Sequence, residues 1–527
     1  MNWFKAKLLR FNWLALSLSL LTSLFFIQKI NLPTADLGRH LINGQLVWNQ
    51  GLSSPIINTN YYSYTNPSFA FPNHHWLYGA IIWPIFQAFG FNGLTLLNVG
   101  LFFISSWLLF SQAGRHTKKT WLLIWFISLP LLTNRCEIRP ESFSLLFVVL
   151  FQFLLNKFAD RRLPGPALLI ILVLIELIWV NLHLFFGLGI LLIGYYLVKM
   201  LLLETRNKWF WRRAGWLGLA LLVSTLTTLA NPNGWRGALV PLTIFSQYQY
   251  PIAENQSTFF FFRYYPQLAF YWYYLGFSLL NLANLVLSWK KFKLKENLLQ
   301  AILIVPLLAA GSLIIRLYPF VATLLFIPTA ELLTKKLASL KISSQKIWRS
   351  NWFLGLVSPL IFALILVCAA SGFFLPKLDG LGWGIESNSM LPAAKFLEKL
   401  PPTAHVFNNY DAGGYLIWSG LAQKVFIDNR PEFYPADFIQ NEYIAAQENE
   451  TDWQKIVEKY QLDTIFFYRH DATNWGQPFL IKRLQDSSWV PIYVDAYFII
   501  LVKDTAANQI LIDQYRLPAE IFRYSSS

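Results

Sequence analysis

Charge is scarce in this chain, and acid is scarcer than base. Of 527 residues only 13% are charged, against roughly 25% in an ordinary soluble protein, which excludes a soluble globular enzyme. The few acids are also unevenly placed. Residues 1–375 hold 9 Asp/Glu against 30 Lys/Arg, and 376–527 hold 19 against 13, out of totals of 28 and 43. The first part is therefore basic and the tail acidic, which predicts two domains in different media: 1–375 in a membrane, with a large first outer loop at 31–75, and a second domain over 376–527. Cysteine is nearly absent. Cys136 and Cys368, about 230 residues apart, are too few and too scattered for a disulfide framework or a thiolate metal site. Neither Gly-x-Gly-x-x-Gly nor Walker spacing occurs around Gly413-Gly414, so that pair reads as a turn before Tyr415–Trp418 rather than a nucleotide site. No internal repeat is present.

What the chain does have is apolar length: 55% of its residues are hydrophobic and 17% aromatic. Apolar runs lie near 13–30, 76–112, 120–133, 142–156, 166–203, 214–230, 268–288, 298–333 and 352–370, several long enough to cross a hydrocarbon core once or twice. Basic clusters stand between them at Arg115–Lys119, Lys157–Arg162, Arg206–Arg213, Lys290–Lys295 and Lys335–Arg349. Bases broken into short clusters between apolar runs fit membrane topology and not a nucleic-acid-binding face. The positive-inside rule puts these clusters and the N-terminus in the cytoplasm and the acidic tail outside, with about eleven spans in the cytoplasmic (inner) membrane. Lys5, Lys7 and Arg10 before the run from Trp13 resemble the start of a signal peptide, but no small-x-small cleavage site follows, so this reads as an uncleaved first helix. The run 76–112 reads either as one span preceded by an interfacial helix or as two short spans.

This topology gathers the chemically useful residues on the outer side. Asp36, a few residues past the first helix, is either a general base for a hydroxyl acceptor or the N-cap of a helix through Leu41–Asn49. The loop continues through Asn58–Pro67 to Asn73-His-His-Trp76, a mixture of amides, hydroxyls and rings suited to sugars and equally to an interfacial belt. His74 and His75 have no second ligand pair at metal-binding spacing. Arg39, Arg135, Arg139, Arg263 and Arg316 are the guanidinium candidates for a phosphate; Arg316 stands at a corner between two apolar runs. Glu141, Glu254, Asn181 and His183 complete the outer polar set, and the charged loop Arg135–Glu141 joins two short runs, 120–133 and 142–156. Glu176, inside an apolar run, is an internal partner or a cavity residue.

In order along the chain, Asp36-Leu-Gly-Arg-His40, Asn60-Tyr-Tyr-Ser-Tyr-Thr65, Trp76-Leu77, Arg139-Pro-Glu141, Trp179-Val-Asn-Leu-His183, Asn231-Pro-Asn-Gly234 and Glu254-Asn-Gln-Ser257 resemble the landmarks of bacterial polytopic GT-C superfamily glycosyltransferases. Those relatives are similar to protein O-mannosyltransferases and lipid A aminoarabinose transferases. The resemblance covers about 1–335 and runs on weakly through Asp411–Tyr415 and Phe426–Arg430. It implies a mainly α polytopic membrane protein that moves a hexosyl or pentosyl group from a polyprenyl-phosphate donor to a glycan, lipid or protein acceptor on the outer face. Asp36 would be the catalytic carboxylate, and Arg39, His40, His74, His75, Arg139, Glu141, Asn181, His183, Glu254 and Arg316 the binding residues. No second acid stands beside Asp36, which favours a metal-free mechanism over a bridging divalent ion.

The tail reads as a small α/β domain, with strands at His405–Asn409, Lys424–Asp428, Leu462–Tyr468 and Tyr497–Val502 and helices at Asn388–Leu400, Asp452–Tyr460 and Gln477–Asp486. Asp411, Asp428, Arg430 and Glu432 follow its strand ends as a possible acceptor-facing edge. Two rival functions use similar chemistry. A transporter or flippase of lipid-linked sugars would show matched broken helices in inverted repeats, and a non-catalytic envelope assembly subunit would use the acidic tail as a binding module.

Overall fold

The computed structural model describes residues 12–32, 36–117, 120–204, 207–247, 250–266, 268, 270–289, 294–339, 381–385, 390–401, 404–420 and 424–522. The apolar run 352–370, Cys368 and the bases at 5–10 lie outside them. The chain divides into two compact units: Met1–Lys29, Asn92–Ala230 and Pro251–Trp383 form the first, and Ile30–Phe91, Asn231–Tyr250 and Gly384–Ser527 the second.

The first unit is a helical membrane bundle. Six described helices of the chain are long and apolar enough to span: Trp76–Arg115, Glu141–Ala159, Gly165–Leu182, Leu184–Leu203, Leu294–Leu313 and Ile315–Lys336. Trp13–Leu24 and Trp121–Leu132 are apolar but shorter. Large apolar side chains such as Leu174, Ile178, Leu222, Leu279 and Val286 are exposed, as expected where the solvent is lipid. Three features of the run pattern acquire a physical cause. The run 76–112 is broken at Gly90, whose φ of 60° and ψ of −156° are open only to glycine, and the division between units falls at that break. The run 166–203 is two helices parted at His183, where the backbone is extended. The run 298–333 is likewise two helices with a corner at Ile315–Leu317, which places Arg316 where the sequence pattern put it. The run read as 142–156 is longer than expected, because the helix begins at Glu141 and ends at Ala159.

The second unit holds a four-stranded sheet in the order β1-β2-β4-β3: β1 Val406–Asn408, β2 Thr464–Tyr468, β3 Trp489–Val494 and β4 Phe498–Lys503. β1 runs parallel to β2, and β2–β4 and β3–β4 are antiparallel. Helices Met390–Leu397, Glu450–Lys459 and Gly476–Gln485 lie close to their expected places. Two expectations fail. Lys424–Asp428 is not a strand of the sheet: Val425 N donates to Tyr62 O (2.9 Å) and Tyr64 N to Val425 O (3.1 Å), while Phe426 N and Ile427 O pair with the Asn408 side chain and Asp428 N with Tyr434 OH. Gly413-Gly414 is no turn but the start of the helix Gly413–Trp418. A Cβ on Gly413 would stand 2.3 Å from Ile427 O and 2.4 Å from Asp428 Cα, so glycine there lets the helix lie directly on the 427–428 backbone.

Candidate functional site

The sequence-predicted site residues fall into two sets, one in each unit. Asp36, Arg39, His40, His74 and His75 belong to the second unit; Arg139, Glu141, Asn181, His183, Glu254 and Arg316 belong to the first.

In the second unit the contacts of Asp36 are not those of a helix cap. Asp36 occupies the N-cap position of the helix Leu37–Gln50, yet its side chain makes no capping hydrogen bond. Its carboxylate instead accepts from Asn429 Nδ2 at 2.5 Å and lies 3.5 Å from Arg39 Nη2, while Arg39 Nε donates to Asn429 Oδ1 at 3.2 Å. One amide thus braces both members of the pair. Asn429 is itself fixed by its neighbours. Arg430 Nε and Nη2 each donate to Asp428, at 2.7 Å, Arg430 Nη2 also donates to Asn60 (3.1 Å), and both side chains of this ion pair are almost fully buried. Asn429 was missed in the sequence because an isolated amide looks like a turn residue. His40 packs edge-on against His75 and Tyr78, with ring centroids 5.3 and 5.0 Å apart, and His74 lies against His75 at 4.0 Å. Burial pushes the Glu432 carboxyl up to about 7 although Arg39 and Arg430 draw it down. Burial, with Asp471 and Asp36 adding to it, raises Asp411 to about 7 as well.

The first unit concentrates guanidinium groups on two carboxylates. Arg135 reaches both oxygens of Glu254 at 2.9 Å, and Arg139 reaches the same two at 2.9 and 3.2 Å. Arg316 Nε donates to Glu141 Oε1 at 2.8 Å, and Arg135 joins the two carboxylates through a 3.4 Å contact to Glu141. Arg135, Arg139 and Arg316 thus share Glu141 and Glu254, with Glu137 between the first two arginines in the same loop. Burial alone would raise the Glu254 carboxyl, but Arg135, Arg139 and Arg316 hold it well below the carboxylate range. The backbone locks the two loops: Ile315 N donates to Gln256 O (3.2 Å), and Thr258 Oγ1 shares a 2.7 Å hydrogen bond with Tyr318 OH. Beside them His183 Nδ1 meets Ser144 Oγ at 2.7 Å, to which Trp179 Nε1 also donates (2.7 Å), and Arg316 stacks over Phe185. Two candidates stay outside the cluster. Asn181 Nδ2 donates to the carbonyls of Leu177 and Ala230, a helix-end role, and Arg263 is exposed beside Tyr264. Among the described residues no group of three or more His, Cys, Asp or Glu is placed to hold a metal ion.

No family model and no curated protein matches the chain. Its fold, however, is similar to that of the archaeal oligosaccharyltransferase AglB from Archaeoglobus fulgidus, solved in complex with an inhibitory peptide and a dolichol-phosphate: the TM-score is 0.55 over 92% of this chain and 73% of AglB, at 11% identity. The likeness is one of fold. It covers a polytopic helical membrane protein ending in a small mixed α/β domain, the fold class expected from the sequence. At that identity, residue roles in AglB do not transfer, so the chemistry of this chain has to be argued from its own side chains.

Proposed function

We propose that the chain is a membrane glycosyltransferase that moves a sugar from a polyprenyl-phosphate-linked donor to an acceptor hydroxyl on the outer face of the cytoplasmic membrane, with inversion. Asp36 takes the proton from the acceptor oxygen as that oxygen forms its bond to the anomeric carbon. The bond from that carbon to the donor phosphate breaks, and the lipid phosphate leaves with the electron pair. The observation that carries this reading is the handling of Asp36. A carboxylate at a helix N-terminus that leaves the cap unmade and is held by Asn429 and Arg39 is positioned for something other than helix stability. The AglB-like fold supports it, since AglB is an oligosaccharyltransferase bound to a lipid phosphate and a peptide.

The cluster in the first unit is assigned to the phosphate by its own chemistry. A set of three planar guanidiniums, held by Glu141 and Glu254 and by locked loops, is suited to bidentate contacts with phosphate oxygens and stabilises charge that develops on a leaving group.

Asp36→Asn is the decisive test. Asparagine keeps an oxygen for the Asn429 hydrogen bond but cannot take a proton, so transfer from a polyprenyl-phosphate sugar in nanodiscs should fall by about 10²–10⁴ in a protein that still folds. Near-normal transfer by a stable Asn variant would refute the base assignment.

A further inference from the structure

The helices that meet the arginine cluster at one end enclose a second polar space at the other. A cavity of about 320 Å³ is lined by Gln152, Lys199, Glu296, Gln300, Glu331 and Lys335 together with an apolar wall that includes Leu299, Leu324 and Leu332. Gln152 lies some 16 Å along its helix from Glu141 at 1.5 Å per residue, so this is a separate place in the bundle. Its size is at the lower end for ligand sites, enough for a lipid headgroup.

The lining sets two carboxylates, Glu296 and Glu331, against two ammonium groups, Lys199 and Lys335, and adds two buried amide oxygens. Among the described residues neither Glu296 nor Glu331 has a hydrogen bond or an ion pair. Gln152 is 6% exposed and donates through Nε2 to Leu324 O, yet its buried Oε1 has no partner, and the same holds for Gln300 Oε1. Lys199 provides the complementary charge: its ammonium sits over the Tyr196 ring, 5.4 Å from the centroid, and makes no ion pair among the described residues. Charge and buried acceptors in spanning helices are costly unless something pairs with them. A ligand matching this lining carries several N–H donors on a cation, an anion a short chain away, and hydrocarbon that follows the leucine wall to the exposed Leu203.

We propose that this cavity binds the headgroup of phosphatidylethanolamine, its primary ammonium on Glu296, Glu331 and the Gln152 carbonyl oxygen and its phosphate on Lys199. A choline headgroup has no N–H to give those acceptors, and a glycerol headgroup has no cation for the two glutamates. The neighbouring basic clusters put this end of the bundle at the cytoplasmic leaflet. The site stands independently of the transfer reaction.

The test is native mass spectrometry of the full-length protein, delipidated in detergent and offered equal amounts of phosphatidylethanolamine, phosphatidylcholine and phosphatidylglycerol with identical acyl chains. Retention of phosphatidylethanolamine should exceed that of the other two by about tenfold, the scale of one hydrogen bond to a charged group. The double variant Glu296→Gln/Glu331→Gln should abolish that preference. Lys199→Ala should weaken phosphatidylethanolamine and phosphatidylcholine alike, since both carry the phosphate. Should the double variant fail to fold, Gln152→Leu takes its place and should cut the ethanolamine preference alone. Equal retention of all three lipids by the wild type, or an unchanged preference in a folded variant, would overturn the proposal. Displacement of the lipid by an equal concentration of glycerophosphoethanolamine would overturn the lipid as occupant in favour of a soluble headgroup.

Discussion

Replacing Glu432 by glutamine should make the protein more stable above neutral pH and leave it nearly unchanged in acid. Glu432 is buried among Arg39, Arg430 and Asp428, and burial outweighs the two arginines, so its carboxyl titrates at about 7 in the fold against 4.5 when exposed. A raised carboxyl binds its proton more tightly in the native state than in the unfolded one. Its stabilising contribution is therefore complete below about pH 4.5 and lost as pH rises to 7. The gap of about 2.5 units corresponds to about 3 kcal/mol at roughly 1.4 kcal/mol per unit. Glutamine is neutral in both states and does not incur that loss, so Glu432→Gln should match the wild type at pH 4.5 and exceed it at pH 8 by up to about 3 kcal/mol. Tryptophan-fluorescence melting of the full-length protein in detergent at both pH values reads this directly. A difference between variant and wild type that does not change with pH would refute the reasoning.

Further outcomes follow from geometry already described. Gly413→Ala would drive a Cβ into the Ile427–Asp428 backbone; overpacking of this kind costs about 1–3 kcal/mol, and a melting midpoint equal to wild type would contradict the close approach. Arg316→Lys keeps the charge but loses the Nε hydrogen bond to Glu141, so transfer should need more donor, with Arg316→Ala worse; unchanged donor dependence in both would remove Arg316 from the phosphate site. Cysteines placed at Ser53 and Ser487 should react with an impermeant thiol reagent on intact spheroplasts, and one at Asp160 only after lysis; the reverse pattern would invert the topology.

The helices were legible because lipid imposes long apolar runs, and an end was legible where a charge interrupted a run, as at Arg316, whereas the break at Gly90 was not, since the sequence left 76–112 open between one span and two. The sheet was harder. β3 was missed because Pro491 reads as a strand breaker; as an edge strand with a register shift between Pro491 and Tyr493, it tolerates the lost donor. Lys424–Asp428 was overread because its apolar residues are buried, while Val425 pairs with Tyr62 and Tyr64, some 360 positions earlier, and the Asn408 and Tyr434 side chains take the other groups, a set no strand pattern encodes. Asp36 and Arg39 stood out by charge. The bracing by Asn429 did not, since it connects positions nearly 400 residues apart.

The buried pair Asp428–Arg430 has a consequence for descent. Its members flank Asn429, and losing either alone strands a buried charge, a change that typically costs 3–5 kcal/mol. Lineages can therefore leave this pairing only by exchanging both residues at once, a path that single substitutions rarely supply. Asn429 faces no such barrier of its own and is held in place only by the residues it braces. In distant relatives of this chain the outer two positions should change together or not at all, and the middle one should follow positions 36 and 39.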